Sequence, residues 1–119
     1  MADENTRSFR PALSVVIPLF NERATLEELH ERLAAVLGVI GLTHEIVFVD
    51  DGSVDGTYRD LRAIAAVDPA VRLVKLARNY GQTAALAAGF DKARGEIIVA
   101  MDGDLQHAPE DLPVLLEAR

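Results

Sequence analysis

Asp102 and Asp104 stand one residue apart, directly after the apolar run Ile97-Ile98-Val99-Ala100-Met101. The pattern reads as a buried strand delivering two carboxylates to its own C-terminal end. In extended backbone, residues i and i+2 point to the same side, so both acids face one small volume. Two like charges held that close repel, and a divalent cation between them relieves the repulsion. Asp102-Gly103-Asp104 is also good turn chemistry, with Gly103 free to take positive φ and the aspartates capping local backbone. Short acidic motifs often match by chance, so the rest of the chain must decide.

The elements that would position such a pair are legible as an alternation. Leu13-Ser14-Val15-Val16-Ile17 is a β-branched strand that Pro18 is expected to close, because proline cannot donate to a central ladder. Apolar residues at Leu26, Leu29, Leu33, Val36 or Leu37, and Ile40 mark one face of a helix, with Gly41 placed to end it. Glu45-Ile46-Val47-Phe48-Val49 is a second strand, running into Asp50-Asp51-Gly52-Ser53. A helix from about Thr57 should bury Tyr58, Leu61, Ile64, Ala65 and Val67, and Asp68-Pro69 stops it. Val71 to Ala77 is a third strand, with Arg72 and Lys75 near its ends or on an edge. Asn79-Tyr80-Gly81 turns into an alanine-rich helix through Leu86 and Phe90, which Gly95 should terminate. After the fourth strand, Pro109-Glu110-Asp111 starts a last helix: proline fits the first turn, and acids there favour the dipole. This order predicts an α/β, Rossmann-like fold, a parallel sheet with right-handed crossovers and helices on both faces. Residues 1–12 are expected to be a flexible leader and 13–119 one domain.

In an open parallel sheet, ligands bind beyond the carboxyl ends of the strands. Each predicted strand ends in a polar cluster: Pro18 to Glu22, Asp50 to Ser53, Arg78-Asn79, and Asp102 to Gln106. On a parallel sheet all of them share one rim, and that convergence depends on no single motif. No Gly-x-Gly-x-x-Gly and no loop ending in Gly-Lys-Ser or Gly-Lys-Thr occurs, so phosphates must be neutralised in another way. Carboxylate-held Mg²⁺ or Mn²⁺ with diphosphate oxygens in the open positions does this. The net charge of −7 on 119 residues argues against a nucleic-acid or anionic-membrane partner. The absence of cysteine excludes disulfides, zinc thiolates and thiol catalysis. Half of the residues are hydrophobic, with few aromatics and no tryptophan, which suits an aliphatic α/β core. The longest apolar run, Leu33 to Leu42, falls far short of the roughly 20 residues that span a bilayer, and Met1 to Arg10 has no apolar core for a signal peptide. A cytoplasmic protein is expected.

Four segments in order, Pro18-Leu19-Phe20-Asn21-Glu22, Val49-Asp50-Asp51-Gly52-Ser53-Val54-Asp55-Gly56-Thr57, Arg78-Asn79-Tyr80-Gly81-Gln82 and Asp102-Gly103-Asp104-Leu105-Gln106, resemble the family 2 glycosyltransferases of the GT-A fold. More narrowly they resemble the polyprenyl-phosphate sugar transferases, of the dolichol-phosphate mannosyltransferase and bactoprenol glucosyltransferase type. The resemblance runs from about Leu13 to the end. It implies that Pro18, Phe20 and Glu22 line a base and ribose pocket with Val49 and Asp51, Asp51 accepting hydrogen bonds from the base. Phe20 stands where tyrosine is commoner, so a hydroxyl contact is lost. Asp102, Asp104 and Gln106 would hold the metal, Asp102 and Asp104 thereby being the catalytic pair, and Gly103 would lie against the nucleotide. Arg78 and Asn79 would flank the cleft. The implied donor is a UDP- or GDP-linked sugar and the implied acceptor a polyprenyl phosphate, an anion that needs little help from a general base, with inversion at the anomeric carbon. A longer form would work at the cytoplasmic face of the membrane.

Each segment also has a plainer reading. Asp50 to Ser53 serves equally as turn and helix cap, Asn21-Glu22 as the polar entrance to a helix, and Arg78 as a solvated charge. His30 and His44 read as surface residues, His107 as structural though close to the acidic pair, and Tyr80 and Phe90 as packing. A haloacid-dehalogenase-like phosphatase would want threonine or valine at Gln106 and its motif on the first strand. A receiver domain would want its acidic pair there too. The stronger rival is a nucleotide-binding or assembly module without catalysis, since the family's catalytic domain is expected to be about twice this long and the acceptor site would lie in the other half. An uncovered sheet edge would favour homo-oligomers.

Overall fold

The computed structural model describes residues 10–104 and 109–117. Its elements follow the predicted alternation: β1 Leu13–Leu19, α1 Arg23–Ile40, β2 His44–Asp50, α2 Thr57–Val67, β3 Val71–Lys75, α3 Gln82–Lys92, β4 Ile97–Ala100, a 3₁₀ turn Pro109–Asp111 and α4 Leu112–Glu117. All strands are parallel in the order β3-β2-β1-β4. Helix α3 therefore carries the chain from one edge of the sheet to the other, and the strand order reverses between β1 and β4.

Alternation on the strands divides the core in two. Leu13, Val15 and Ile17 of β1, with Ile46 and Phe48 of β2, pack with Leu26, Leu29, Leu33 and Leu37 of α1, Leu61 of α2, and Leu112 and Leu116 of α4. Each of the four α1 leucines is at most 1% exposed, and burying a side chain of this size is worth about 1.5–3 kcal/mol. Val16, Val47 and Val49 point to the other face and meet Ala85 of α3. Helices thus cover both faces.

Several expectations are corrected. β1 runs through Pro18 to Leu19. Successive residues of a parallel strand turn their backbone groups to opposite neighbours: Leu19 accepts from Asp51 of the β2 side, whereas Ala12 and Val16 accept from Ile97 and Met101 of the β4 side. Pro18 belongs to the second set, beyond the last β1–β4 pair, Val16 with Ala100. Its missing N–H therefore breaks no ladder bond. β4 is not a buried strand, because it lies at an edge and Ile98 is 41% exposed. Val67 is 80% exposed, pointing away from the face that holds Leu61. β3 ends at Lys75, not Ala77, and α3 ends at a cap on Ala93, two residues before Gly95. Tyr80 and Phe90 are about half exposed and not core. Pro11 and Ala12, within the expected leader, already accept hydrogen bonds from Glu96 and Ile97; residues 1–9 lie outside the described residues.

The end of the sheet opposite the polar rim is tied by Glu45, whose side chain is 2% exposed. It accepts from Ser14 Oγ at 2.6 Å, from the Arg94 amide at 2.7 Å, and from the Arg72 and Arg94 guanidinium groups at 3.0 Å. Burial pushes this carboxyl up, and the combined donors outweigh burial and hold it below the ordinary range. His30 is not a free surface residue either. Its Nε2 lies 2.7 Å from Asp68 Oδ2, fastening α1 to the α2–β3 turn.

Candidate functional site

Beyond the carboxyl ends of the strands, at the β1/β4 reversal, lies a cleft of about 320 Å³. Pro18, Leu19, Phe20, Glu22, Asp51, Asn79, Gly81, Gln82, Asp102, Gly103 and Asp104 line it, so all four polar strand ends contribute. In α/β sheets such a reversal opens a crevice, because neighbouring connections depart to opposite faces.

Local chemistry shapes each wall. Asn21 takes left-handed backbone, φ 53°, which asparagine tolerates better than most residues. Its amide donates to Ser53 Oγ and its Oδ1 accepts from the Val54 amide, both at 2.9 Å. That turn leaves Phe20 and Glu22 at the cleft. Asp50 Oδ1 accepts from the Ser53 amide at 3.1 Å, and Asp55 accepts from the Thr57 amide at 3.0 Å. The turn reading of Asp50 to Ser53 thus holds for Asp50, its cap reading does not, since α2 starts from Gly56 with no side-chain cap hydrogen bond, and Asp51 does something else. Its Oδ1 accepts from the Tyr80 amide at 2.8 Å, and its Oδ2 from the Gly81 amide at 3.0 Å and Asn79 Nδ2 at 3.1 Å. Gly52 makes this approach feasible. At φ +77° it already needs glycine, and a Cβ there would stand 2.3 Å from the Arg78 carbonyl carbon.

On the opposite wall, a Cβ on Gly103 would stand 2.2 Å from Leu19 Cδ2, so the turn between the two aspartates is seated against the end of β1. Thr25 Oγ1 donates to the Gly103 carbonyl at 3.3 Å. Asp102 accepts at Oδ1 from Gln82 Nε2 at 3.2 Å. With Glu22, Asp51, Asp102 and Asp104 around one cleft, the potential there is strongly negative. Burial, and next the Asp104 charge, push the Glu22 carboxyl above its ordinary range, against a weaker lowering by Thr25.

Of the expected site residues, Pro18, Phe20, Glu22, Asp51, Asn79, Asp102, Gly103 and Asp104 meet in the cleft. Val49 does not: it is fully buried against α3, since an odd-numbered β2 residue points to that face. Arg78 is also outside the lining, its guanidinium lying 4.9 Å over the exposed Tyr80 ring. Gln106, expected as a metal ligand, and His107 lie outside the described residues. Leu19, Gly81 and Gln82 line the cleft without having been assigned there; Gly81 and Gln82 stand in the Arg78 to Gln82 segment, and their position at the head of α3 was the available signal. Among the described residues no group of three or more His, Cys, Asp or Glu side chains could hold a metal ion. Two carboxylates with phosphate oxygens are enough for Mg²⁺ or Mn²⁺, so the hard-oxygen pair Asp102 and Asp104 fits such an ion.

The sequence profile of Glycosyl transferase family 2 matches residues 14–118. The chain belongs to glycosyltransferase family 2. It is similar to the undecaprenyl-phosphate 4-deoxy-4-formamido-L-arabinose transferase of Pseudomonas paraeruginosa, with 49% identity over 88% of the chain and 31% of the relative. It is also similar to the dodecaprenyl-phosphate galacturonate synthase of Rhizobium johnstonii, with 46% identity over 87% of the chain and 31% of the relative. The chain spans about a third of the length of these curated relatives. Among solved structures, the mannosyltransferase PcManGT of Pyrobaculum calidifontis, in complex with GDP-Man and Mn²⁺, superposes with a TM-score of 0.73 at 30% identity, over 87% of this chain and 30% of that one. S. aureus TarS 1-349 in complex with UDP-GlcNAc, at 22% identity, shares the fold with a TM-score of 0.70, over 89% of this chain and 30% of that one. The family 2 chain thus has the GT-A fold, and the phosphatase and receiver readings fall away.

Proposed function

We propose that the chain is the nucleotide-sugar-binding part of a metal-dependent, inverting glycosyltransferase that moves a sugar from a UDP- or GDP-linked donor to a polyprenyl phosphate. The observation that carries this reading is the convergence of four strand ends on one acidic cleft, with Asp102 and Asp104 beside Glu22 and Asp51. Phe20 and Pro18 offer apolar surface for a base, and Glu22 an acceptor for ribose hydroxyls. Asp51 acts on the base side, chiefly by holding Asn79 to Gly81 in place, with Val49 supporting the wall from behind and Arg78 at the rim. Asp102 and Asp104, joined by Gln106, would hold Mg²⁺ or Mn²⁺. A bound divalent cation supplies charge stabilisation for the departing nucleoside diphosphate. The names of the relatives support the polyprenyl phosphate acceptor, and PcManGT supports the donor and metal classes. Work at the cytoplasmic face of a membrane and homo-oligomerisation are part of the proposal; no helix of the described residues is long and apolar enough to cross a membrane.

Calorimetric titration of UDP and of GDP, with Mn²⁺ and after chelation, tests the reading. Expected is binding of one nucleotide that chelation weakens and that Asp104→Ala, with Mn²⁺ present, weakens to the chelated level. Binding without sugar transfer to a polyprenyl phosphate would favour the non-catalytic module, and no binding by the folded chain would sink both.

A further inference from the structure

The loop from β3 into α3 touches both sides of the cleft. On one side it is moored to β2, where the Asp51 carboxylate accepts from Asn79 Nδ2 and from the Tyr80 and Gly81 amides. Gly52 packs so tightly beneath Arg78 and Asn79 that the loop cannot move closer to β2. On the other side Gln82, the first residue of α3, reaches across the cleft floor and donates from Nε2 to Asp102 Oδ1 at 3.2 Å. Neither bond is local: Asp51 and Asn79 are 28 positions apart, and Gln82 and Asp102 are 20.

A cation-binding aspartate must hold its carboxylate in one rotamer, and a donor on one oxygen favours the rotamer that leaves the other oxygen for the cation. The Asp102–Gly103 backbone is held by the contact of Gly103 with Leu19 and Pro18, and the Gln82 bond adds a restraint on rotation of the Asp102 side chain. We propose that Gln82 is a positioning residue that orients Asp102 towards a divalent cation, and that the loop from Asn79 to Gln82 couples nucleotide binding to cation binding. The proposal rests on the cleft being a nucleoside-diphosphate site. A ligand that tightens the Asp51 side restricts Gln82, and by linkage a cation on Asp102 tightens the nucleotide by the same factor. Partners that orient metal ligands typically change metal affinity about 10–100-fold.

The test is calorimetry on the whole chain, with Mn²⁺ titrated in the presence and absence of UDP or GDP, and each nucleotide titrated with and without Mn²⁺. Two variants are compared with the native chain: Gln82→Met, which keeps length and shape without the donor, and Gln82→Asn, which keeps the amide one methylene short. Both should weaken Mn²⁺ binding to the nucleotide-loaded chain about tenfold more than binding to the nucleotide-free chain, and should cut the factor by which Mn²⁺ tightens the nucleotide by that same amount. The thermal midpoint should stay at its native value. Native Mn²⁺ affinity in both variants overturns the proposal and leaves the nucleotide site standing, as does native nucleotide binding that ignores Mn²⁺. A loss of thermal stability that runs in parallel with the loss of Mn²⁺ affinity means that Gln82 only supports the fold, which also overturns it. A native chain that binds neither nucleotide with Mn²⁺ overturns the reading of the cleft, and the role of Gln82 with it.

Discussion

Two glutamates show how residue environment sets opposite pH behaviour. Glu45 is held ionised by Ser14, Arg72 and Arg94, so its contribution to stability is present above its unfolded-state pKa and is lost as pH falls through the lowered folded value. Removing one partner of a buried, hydrogen-bonded charge leaves the others unpaired, at a cost on the order of 3 kcal/mol. Glu45→Gln should therefore lower the urea midpoint at pH 7 and flatten its decline in acid. Glu22 has the reverse sign: burial and Asp104 raise its folded pKa, so its favourable contribution exists below the unfolded-state value and disappears as pH rises through the folded one. Glu22→Gln should raise the thermal midpoint of the metal-free chain at neutral pH, with the gain vanishing below pH ~4. A gain that persists in acid would mean the Glu22 charge is not its source. Ionising Glu22 in the folded chain thus costs stability, a feature common in functional clefts.

At the scale of elements, two glycines with the same backbone angle separate conformation from crowding. Gly41 and Gly52 both have φ +77°, but a Cβ on Gly41 meets nothing within 4 Å whereas one on Gly52 collides with the Arg78–Asn79 backbone. Gly41→Ala should lower stability by about 1–2 kcal/mol, the penalty for left-handed backbone, and leave nucleotide affinity unchanged. Gly52→Ala should lower stability more and weaken nucleotide binding, since the loop that Asp51 holds must shift. Equal behaviour of the two in both measurements would remove the loop from the account of the site. The periodicity of α1 and α2 was legible because their apolar faces repeat at helical spacing over whole elements. The length of β1 was not, because the tolerance of Pro18 depends on which neighbour its N–H would have faced.

For the molecule as a whole, the sheet is secured unevenly. β1 lies between two strands and β2 between β1 and β3, with Val15, Val16, Ile17, Ile46, Val47 and Phe48 fully buried, whereas β4 is a four-residue strand at an edge. Amide hydrogen exchange should be slowest in β1 and β2 and faster by orders of magnitude in β4. Comparable protection in β4 would show that its edge is covered in solution. Where copies of the chain pair through that edge, Ile98→Lys should lower the sedimentation coefficient at high concentration, and an unchanged value overturns pairing there. The four polar strand ends were legible as one rim because parallel order follows from the alternation of elements alone. That Val49 packs under α3 and that Arg78 lies over Tyr80 outside the cleft lining was illegible, because which helix covers which sheet face and which loop residues become neighbours are decided only in three dimensions.

Sequence by itself determined the alternation of strands and helices, the acidic pair after the fourth strand and the polar ends of the other three, because periodicity and turn chemistry are local properties. Tertiary structure decided that β4 returns beside β1, that Asp51 is turned to the loop from Asn79 to Gly81, and that Gln82 meets Asp102. Those outcomes depend on which elements become neighbours, and pairings across 20 or more positions leave no mark in local spacing.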